Sequence, residues 1–562
     1  MLRNRLPDDA ALYQLPVRGI NLRSSLAEIL PGEAEKMQNF YVDGGMRKRL
    51  GSTWVTASTS SLGAFTGTGG IKVYPQTASN FRVITYATTA SVISDAGAET
   101  VLTNALTSHT NARFYYWSIT DNLYAATGAQ DLFYISSTPA YATISGTNVP
   151  TTPVDVCPYL DRLFAIQGSV VVSSNPRVDS VWATTGSTWA AYRPIGGAGP
   201  PMALHLHSLT GQQGDPVAQL LIFQGSAVTA LTGTNFGDNV TAGSPPTGWD
   251  AALTLLSPRL GTRSPYSIVT VPGYGTFWFT QDFNVAWLPF NAATPKLIAD
   301  NLFSNRSDIY GLNHVTTSAL DQVWMVYHDR KLKLGIPING KTFATHQFWL
   351  DLRALETVTE ISGSIPPPAW SGPHTGQSLK RVWVESDAGD QGRMYGLEGD
   401  LAVAAGLYVY EISPVNWWYD AIGATQSAVS SDYRGHYHTA GAPSWEKYWP
   451  DVRLDVAGEI ENASVCLVDL HGDVDICNLR IRQNDGTAFS LTRYGTSLTY
   501  GSGIMYGQNS VAQIGHVDVN AQSTSAVLGD AIQMRVTHST GNRFIINRAL
   551  PQIQVRRQQQ VG

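Results

Sequence analysis

Four stretches of this chain share one grammar: DNLYAATGAQDLFYIS (121–136), DRLFAIQGSVVVSS (161–174), QLLIFQGSAVTALTG (219–233) and GTFWFTQDFNVAWLPF (275–290). In each, an apolar or aromatic strand ends in a tight Gly or Asp turn and a second strand returns. QVWMVYHDRKLKLGIPI and RVWVESDAGDQGRMYGLEG repeat the pattern, with "DR" and "DQG" at the turn. The units recur every 40–60 residues or so, roughly the period of propeller blades. A lone hairpin leaves a sticky face and an open edge, and radial repetition buries both. The pattern predicts an all-β chain with a β-propeller-like central domain. A large β-barrel or stacked sandwiches is the competing arrangement, and the degenerate repeat leaves the blade number open.

Composition agrees. Charged residues are 14% of the 562, against about 25% in ordinary soluble proteins, and Thr, Ser, Gly, Ala and aromatics fill the difference. The 43% of hydrophobic residues is ample for a buried core. A net charge of −6 argues against a surface built to neutralise phosphates, although a wall that DNA merely slides past would be neutral or weakly acidic. Cys157, Cys466 and Cys477 are too few for a disulfide framework. Cys466 and Cys477 could face each other across a hairpin, but buried thiols in a reducing cytoplasm are the favoured reading. MLRNRLPDDAALYQLP has no apolar signal-peptide region, and no run approaches 18 apolar residues; no membrane span is expected.

Three regions are expected: a short helix–hairpin segment at 1–60, the propeller-like domain at 61–415, and an antiparallel β-sandwich at 416–562. Helical periodicity is convincing only over Leu26–Asn39, interrupted by Pro31-Gly32. NFYVDGGMRKRLG then reads as a strand, a Gly44-Gly45 turn and a return strand carrying Arg47, Lys48 and Arg49. Asn21 is placed to cap a turn. The hairpin grammar stops after Trp417, and alternating strands run from Asp451 to Gln554. Trp417 and Trp418 (NWWYD) with Trp445 and Trp449 (WEKYWP) lie at the domain junction, where they are candidate subunit-interface anchors.

No catalytic frame in the sequence is complete. The Asp-box of sialidase-type propellers has the form S-x-D-x-G-x-T-W. GSTW occurs at 51–54 and 186–189, but the Ser and Asp positions hold Arg47 and Arg49, or Trp182 and Thr184. Glu385, Asp387 and Asp390 cluster in ESDAGDQG, where a solvated turn explains them better than paired glycosidase carboxylates. HLH (His205, His207) and HYH (His436, His438) each offer two imidazoles on one strand face without a third ligand. DLHGDVD (469–475) lacks the closing Glu of a calcium loop. No G-x-S-x-G elbow or Walker motif appears. No catalytic residue, metal or cofactor is therefore expected, and the chain is expected not to be an enzyme.

The stretch GINLRSSL…PGEAEKMQNFYVDGGMRKRLG resembles the N-terminal signature of tail-assembly proteins of short-tailed bacteriophages, namely the nozzle (tail tubular B) and packaged-DNA stabilisation families. The shared features are a G-hydrophobic-N opening, a PGEA turn and a D/E-G-G-x-x-x-R-x-G hairpin, on Gly19, Asn21, Pro31, Gly32, Glu33, Asp43, Gly44, Gly45, Arg49 and Gly51. The match is tight over about 40 residues and stylistic beyond. The resemblance implies a middle propeller, a closing β-rich platform and a homohexameric ring in the virion tail, made in the host cytoplasm. The expected partners are an adaptor or gatekeeper ring, tail fibres, and DNA passing through without sequence specificity. In that scheme the Gly44-Gly45 hairpin and Arg47–Arg49 form a basic docking edge. The alternative is a carbohydrate-binding or depolymerising tail propeller that recognises the host surface.

Overall fold

The structure, a computed structural model, describes residues 13–25, 28–43, 45–55, 67–94, 98–197, 199–210, 216–290, 292–356, 369–385, 392–399, 409–412, 419–422, 425–439, 447–449, 451–458, 463–469, 479–482, 513–518, 527–529, 531–539, 541, 543–551 and 554–555. Among them, seven four-stranded antiparallel sheets follow one another along the chain. Six are continuous, at 67–103, 113–143, 156–192, 201–257, 269–297 and 324–374. The seventh takes three strands from 379–412 and its outer strand from Ser52–Trp54, which pairs Trp54 with Tyr410 and Ser52 with Ile412. Each sheet touches the next near its innermost strand, and Leu379–Glu385 of the seventh contacts Gly67–Val73 of the first. The succession is circular, as in a β-propeller.

The physical basis is the one that the hairpin pattern anticipates. Second strands are sandwiched between neighbouring sheets, so Phe81–Tyr86 and Lys331–Ile336 are buried at every position. Their polar members, Arg82, Thr85, Lys331 and Lys333, are buried with the rest. Outer strands such as Glu99–Thr103 and Ala252–Ser257 are only partly buried. Apolar clusters fill the gaps between sheets, for example Tyr159, Phe164, Tyr192 and Phe236 between the third and fourth.

The C-terminal strands form an all-antiparallel ten-stranded sheet that also incorporates three N-terminal strands: β1 (Ala34–Gln38), β2 (Phe40–Val42) and β3 (Met46–Lys48). β1 and β2 occupy the two ends of that sheet, yet one residue, Asn39, joins them. The sheet therefore folds back on itself around Met37, Phe40, Tyr433, Met534, Val536, Phe544 and Ile546. The same apolar cluster continues into the fifth and sixth blades through Phe277, Leu332 and Phe348.

Two expectations are corrected here. The second of the short helical turns expected on either side of Pro31-Gly32 within Leu26–Asn39 is instead a strand at Ala34–Gln38, where β1 pairs with Ser431–His438. The expected separate segment 1–60 is divided: β1–β3 belong to the C-terminal sheet, and Ser52–Trp54, here β4, belongs to the seventh blade.

Candidate functional site: the joint between propeller and platform

The signature stretch builds the joint between the two bodies. Residues 18–21 form a strap between the chain at 32–34 and the outer strand of the sixth blade. The Arg18 amide donates to the Gly32 carbonyl (2.7 Å), Ala34 to Gly19 (2.9 Å), Asn21 to Ala34 (2.9 Å) and Ile20 to Trp370 (2.7 Å). Gly19 sits at φ +77°, and a Cβ there would lie 2.2 Å from the Trp370 carbonyl oxygen. Asn21 does cap a turn, accepting the Ser24 amide at Oδ1 (3.1 Å), and its Nδ2 donates to Glu33 Oε2 (3.0 Å). Glu33 also receives the Leu30 amide (3.1 Å), beside the exposed Pro31 and the left-handed Gly32 (φ +84°).

Arg49, 1% exposed, is the centre of the joint. All five guanidinium donors are used. Nε donates to Asn39 Oδ1 (2.7 Å), Nη1 to the Leu50 carbonyl and Asp420 Oδ1 (2.9 Å each), and Nη2 to Asp420 Oδ2 and the Thr375 carbonyl. Asp420 takes a further bond from Gln377 Nε2 (3.1 Å), and Asn39 Nδ2 donates to the Ser430 carbonyl (2.6 Å). One side chain thus ties the bend between β1 and β2 to the linker between blades six and seven, and to the chain entering the platform. Gly51 follows, where a Cβ would come within 1.9 Å of the Tyr419 carbonyl oxygen.

The expected pairing of two strands here exists, Tyr41 with Arg47 and Val42 with Met46. The exposed basic edge does not. Lys48 is 3% exposed and donates to His538 Nδ1 (3.0 Å), Arg49 is buried as described, and only Arg47 is half-exposed, 3.8 Å from Asp43. Short strands beside a large sheet turned these charges inward, and charge alone could not signal that. Gly44, Trp417, Trp418 and Trp445 lie outside the described residues; Trp449 is in a strand paired with Val527. The sequence reading missed Asp420, Asn39 and Thr375. In NWWYD the tryptophans carry the sequence signal, whereas its aspartate is the counter-ion.

A second buried polar cluster adjoins the joint. Lys333, 2% exposed, donates to His328 Nδ1 (3.0 Å) and lies 4.3 Å from the centre of the Trp349 ring. Burial pushes Lys333 down to about 7, helped by Lys331 and Arg49 and opposed by Asp329. Burial likewise brings His328 to about 3, so it accepts as a neutral ring while Nε2 donates to the Gly392 carbonyl. An unfolded lysine keeps its proton to about 10.4. Between pH 7 and 10 the unfolded chain therefore binds more protons than the folded one, and stability rises with pH. Lys333→Met is expected to flatten that rise and to add about 1–3 kcal/mol at pH 7 and below, by removing an unpaired buried charge. Urea unfolding across pH 6–10 measures both.

The other sequence candidates are structural. His205 and His207 do not converge on a metal position: His205 Nε2 bonds Thr270 Oγ1 (2.9 Å), His207 Nδ1 bonds Thr276 Oγ1 (2.8 Å), and the two hydroxyls bond each other (2.7 Å). Burial lowers them to about 3 and about 4. His436, 1% exposed, stacks on Tyr13 at 4.5 Å. Among the described residues no group of three His, Cys, Asp or Glu could hold a metal. Glu385, expected in a solvated turn, is 1% exposed. It pairs with Arg82 through both oxygens (2.5 and 2.8 Å) and joins the first and seventh blades; Asp387 and Asp390 lie outside the described residues.

Within the ring of inner strands, Tyr266 reaches across from the turn before the fifth blade. Its hydroxyl meets the Ala112 amide (3.0 Å) and carbonyl (2.6 Å). Its ring lies between the guanidinium carbons of Arg381, at 3.8 Å, and Arg113, at 5.1 Å. Arg113 is held by Asp155 (3.3 Å), which also accepts the Leu204 and Val156 amides (2.9 Å each). The space that the blades enclose is crossed at this level by packed side chains.

The chain is thus an all-β protein: a seven-sheet propeller fastened to a β-sheet platform. No helix among the described residues is long and apolar enough to cross a membrane. No protein-family model matches the chain, and no curated protein matches it in sequence. Among solved structures it is similar to a streptogramin B lyase (8% identity, TM-score 0.37, covering 63% of this chain and 96% of that one). It is also similar to virginiamycin B lyase from Staphylococcus aureus (9%, 0.37, 63% and 96%) and to the WD40 β-propeller domain of Doa1 (7%, 0.35, 65% and 98%). Likeness at this level carries nothing about activity.

Proposed function

We propose that the chain is a structural protein of a bacteriophage tail, assembling as a closed homomeric ring that retains packaged DNA and later conducts it. The observation that supports this reading is the correspondence between resemblance and joint. Gly19, Asn21, Gly32, Glu33, Arg49 and Gly51 carry the likeness to tail-assembly proteins, and each has a bonding or close-packing role where propeller meets platform. A protein that works by holding its shape under load gains from a rigid coupling of its two bodies. Because Tyr266 crosses the space inside the blades, the conduit in this reading lies between copies. A heterologous contact whose rotation closes gives such a ring.

Light scattering behind a sizing column tests it. A mass near six times 60.8 kDa, or a monomer that assembles only with other tail proteins, is the expected outcome. A stable lone monomer that releases oligosaccharides from a bacterial surface polymer would overturn it.

A further inference from the structure

Beside the joint, a cavity of about 250 Å³ opens between the strap at 16–19, β2 and the sixth blade. Its apolar lining includes Pro16, Val17, Tyr41, Val42, Trp349 and Trp370. That volume is below the 300–1,000 Å³ or so of sites for drug-sized ligands, and it suits one large side chain. Val17, in the lining, is 65% exposed although apolar, and it lies beside Gly32.

The charges around the mouth are unequal. Its carboxylates are all taken: Asp351 and Asp43 by Arg353 (2.5 and 2.9 Å), Asp43 also by Arg47, and Asp329 by Lys331 (3.1 Å). Arg18 and Arg330 remain. Both are exposed, each adjoins lining residues in sequence, and neither has a carboxylate partner among the described residues. In a chain with net charge −6, an apolar socket with two uncommitted arginines in the segments that adjoin its lining is locally cationic.

We infer that this socket is a docking site for an acidic segment of a partner protein, which inserts one large apolar side chain and meets Arg18 and Arg330 with its carboxylates. Apolar burial supplies the anchor, and flanking carboxylates supply orientation and association rate. The socket's chemistry stands without the tail reading, which would only place the partner in the same assembly.

The test uses the full chain and two fluorescein-labelled peptides, Glu-Glu-Leu-Phe-Pro-Glu-Glu and its counterpart with lysine at every glutamate, followed by anisotropy. The acidic peptide is expected to bind at least about tenfold more tightly, and the difference should shrink as salt rises. R18E and R330E should each weaken it about threefold or more, and Val17→Glu should remove it; these residues are exposed, and circular dichroism verifies the fold. Equal binding of the two peptides, binding of neither, or indifference to both charge reversals overturns the inference. None of these outcomes bears on the native mass, so the two proposals fail separately.

Discussion

Replacing Arg49 with methionine is expected to destabilise the protein by about 3–5 kcal/mol, because it leaves a buried carboxylate without its partner. Among the described residues Asp420 would keep Gln377, and Asn39 Oδ1, at the bend between β1 and β2, would be left with the Thr375 amide as its donor. Arg49→Lys is expected to recover less than half, since an ammonium cannot span Asn39, Asp420 and Thr375 at once. The pair R49M/D420L should be less destabilised than R49M alone, which separates the stranded charge from the packing. Urea unfolding reads the total, and proteolysis between blade seven and the platform reads whether the joint opens first. If R49M unfolds like the parent, the joint is not what couples the two bodies.

Alanine at Gly19 or Gly51 is expected to be as damaging, for steric rather than electrostatic reasons. At Gly19 the backbone is left-handed, which costs a residue with a Cβ about 1 kcal/mol or more. The new methyl would also stand 2.2 Å from the Trp370 carbonyl oxygen, which accepts the Ile20 amide. At Gly51 the obstacle is the Tyr419 backbone at 1.9 Å. Strap and strand must move away, at a total cost of roughly 3 kcal/mol or more. Gly168, also left-handed but with open space around it, is the control and should lose only the conformational part. Thermal melts of the three variants rank the effects; equal losses at Gly19 and Gly168 would mean that backbone conformation alone matters at Gly19.

Much of the propeller is visible in the sequence because each blade's middle strands are closed in by neighbours. Arg162–Gln167 followed by Val170–Ser173 reads as two apolar runs around a Gly168 turn, and that is how they fold. The blade number is hidden, since one blade is assembled from both ends of the domain. The first segment misleads for another reason. Ala34, Glu35, Lys36, Met37 and Gln38 are all good helix formers, but Met37 pairs with Tyr433, roughly 400 residues further on, and a sheet partner outweighs local preference. Arg49 stands out within its motif, whereas its counter-ion is 371 residues away and has no motif of its own.

The outer strand of the seventh blade gives this chain an unusual order of completion. Trp54 and Tyr410 are roughly 350 residues apart, and on a ribosome the early strand waits, edge exposed, until six other blades have been made. Closing so long a loop costs entropy that only the last contacts repay. Once closed, the clasp makes the N-terminal 50 or so residues common property. A pull on them loads the propeller through β4 and the platform through β1–β3 together, so neither body can be peeled away while the other stays fastened.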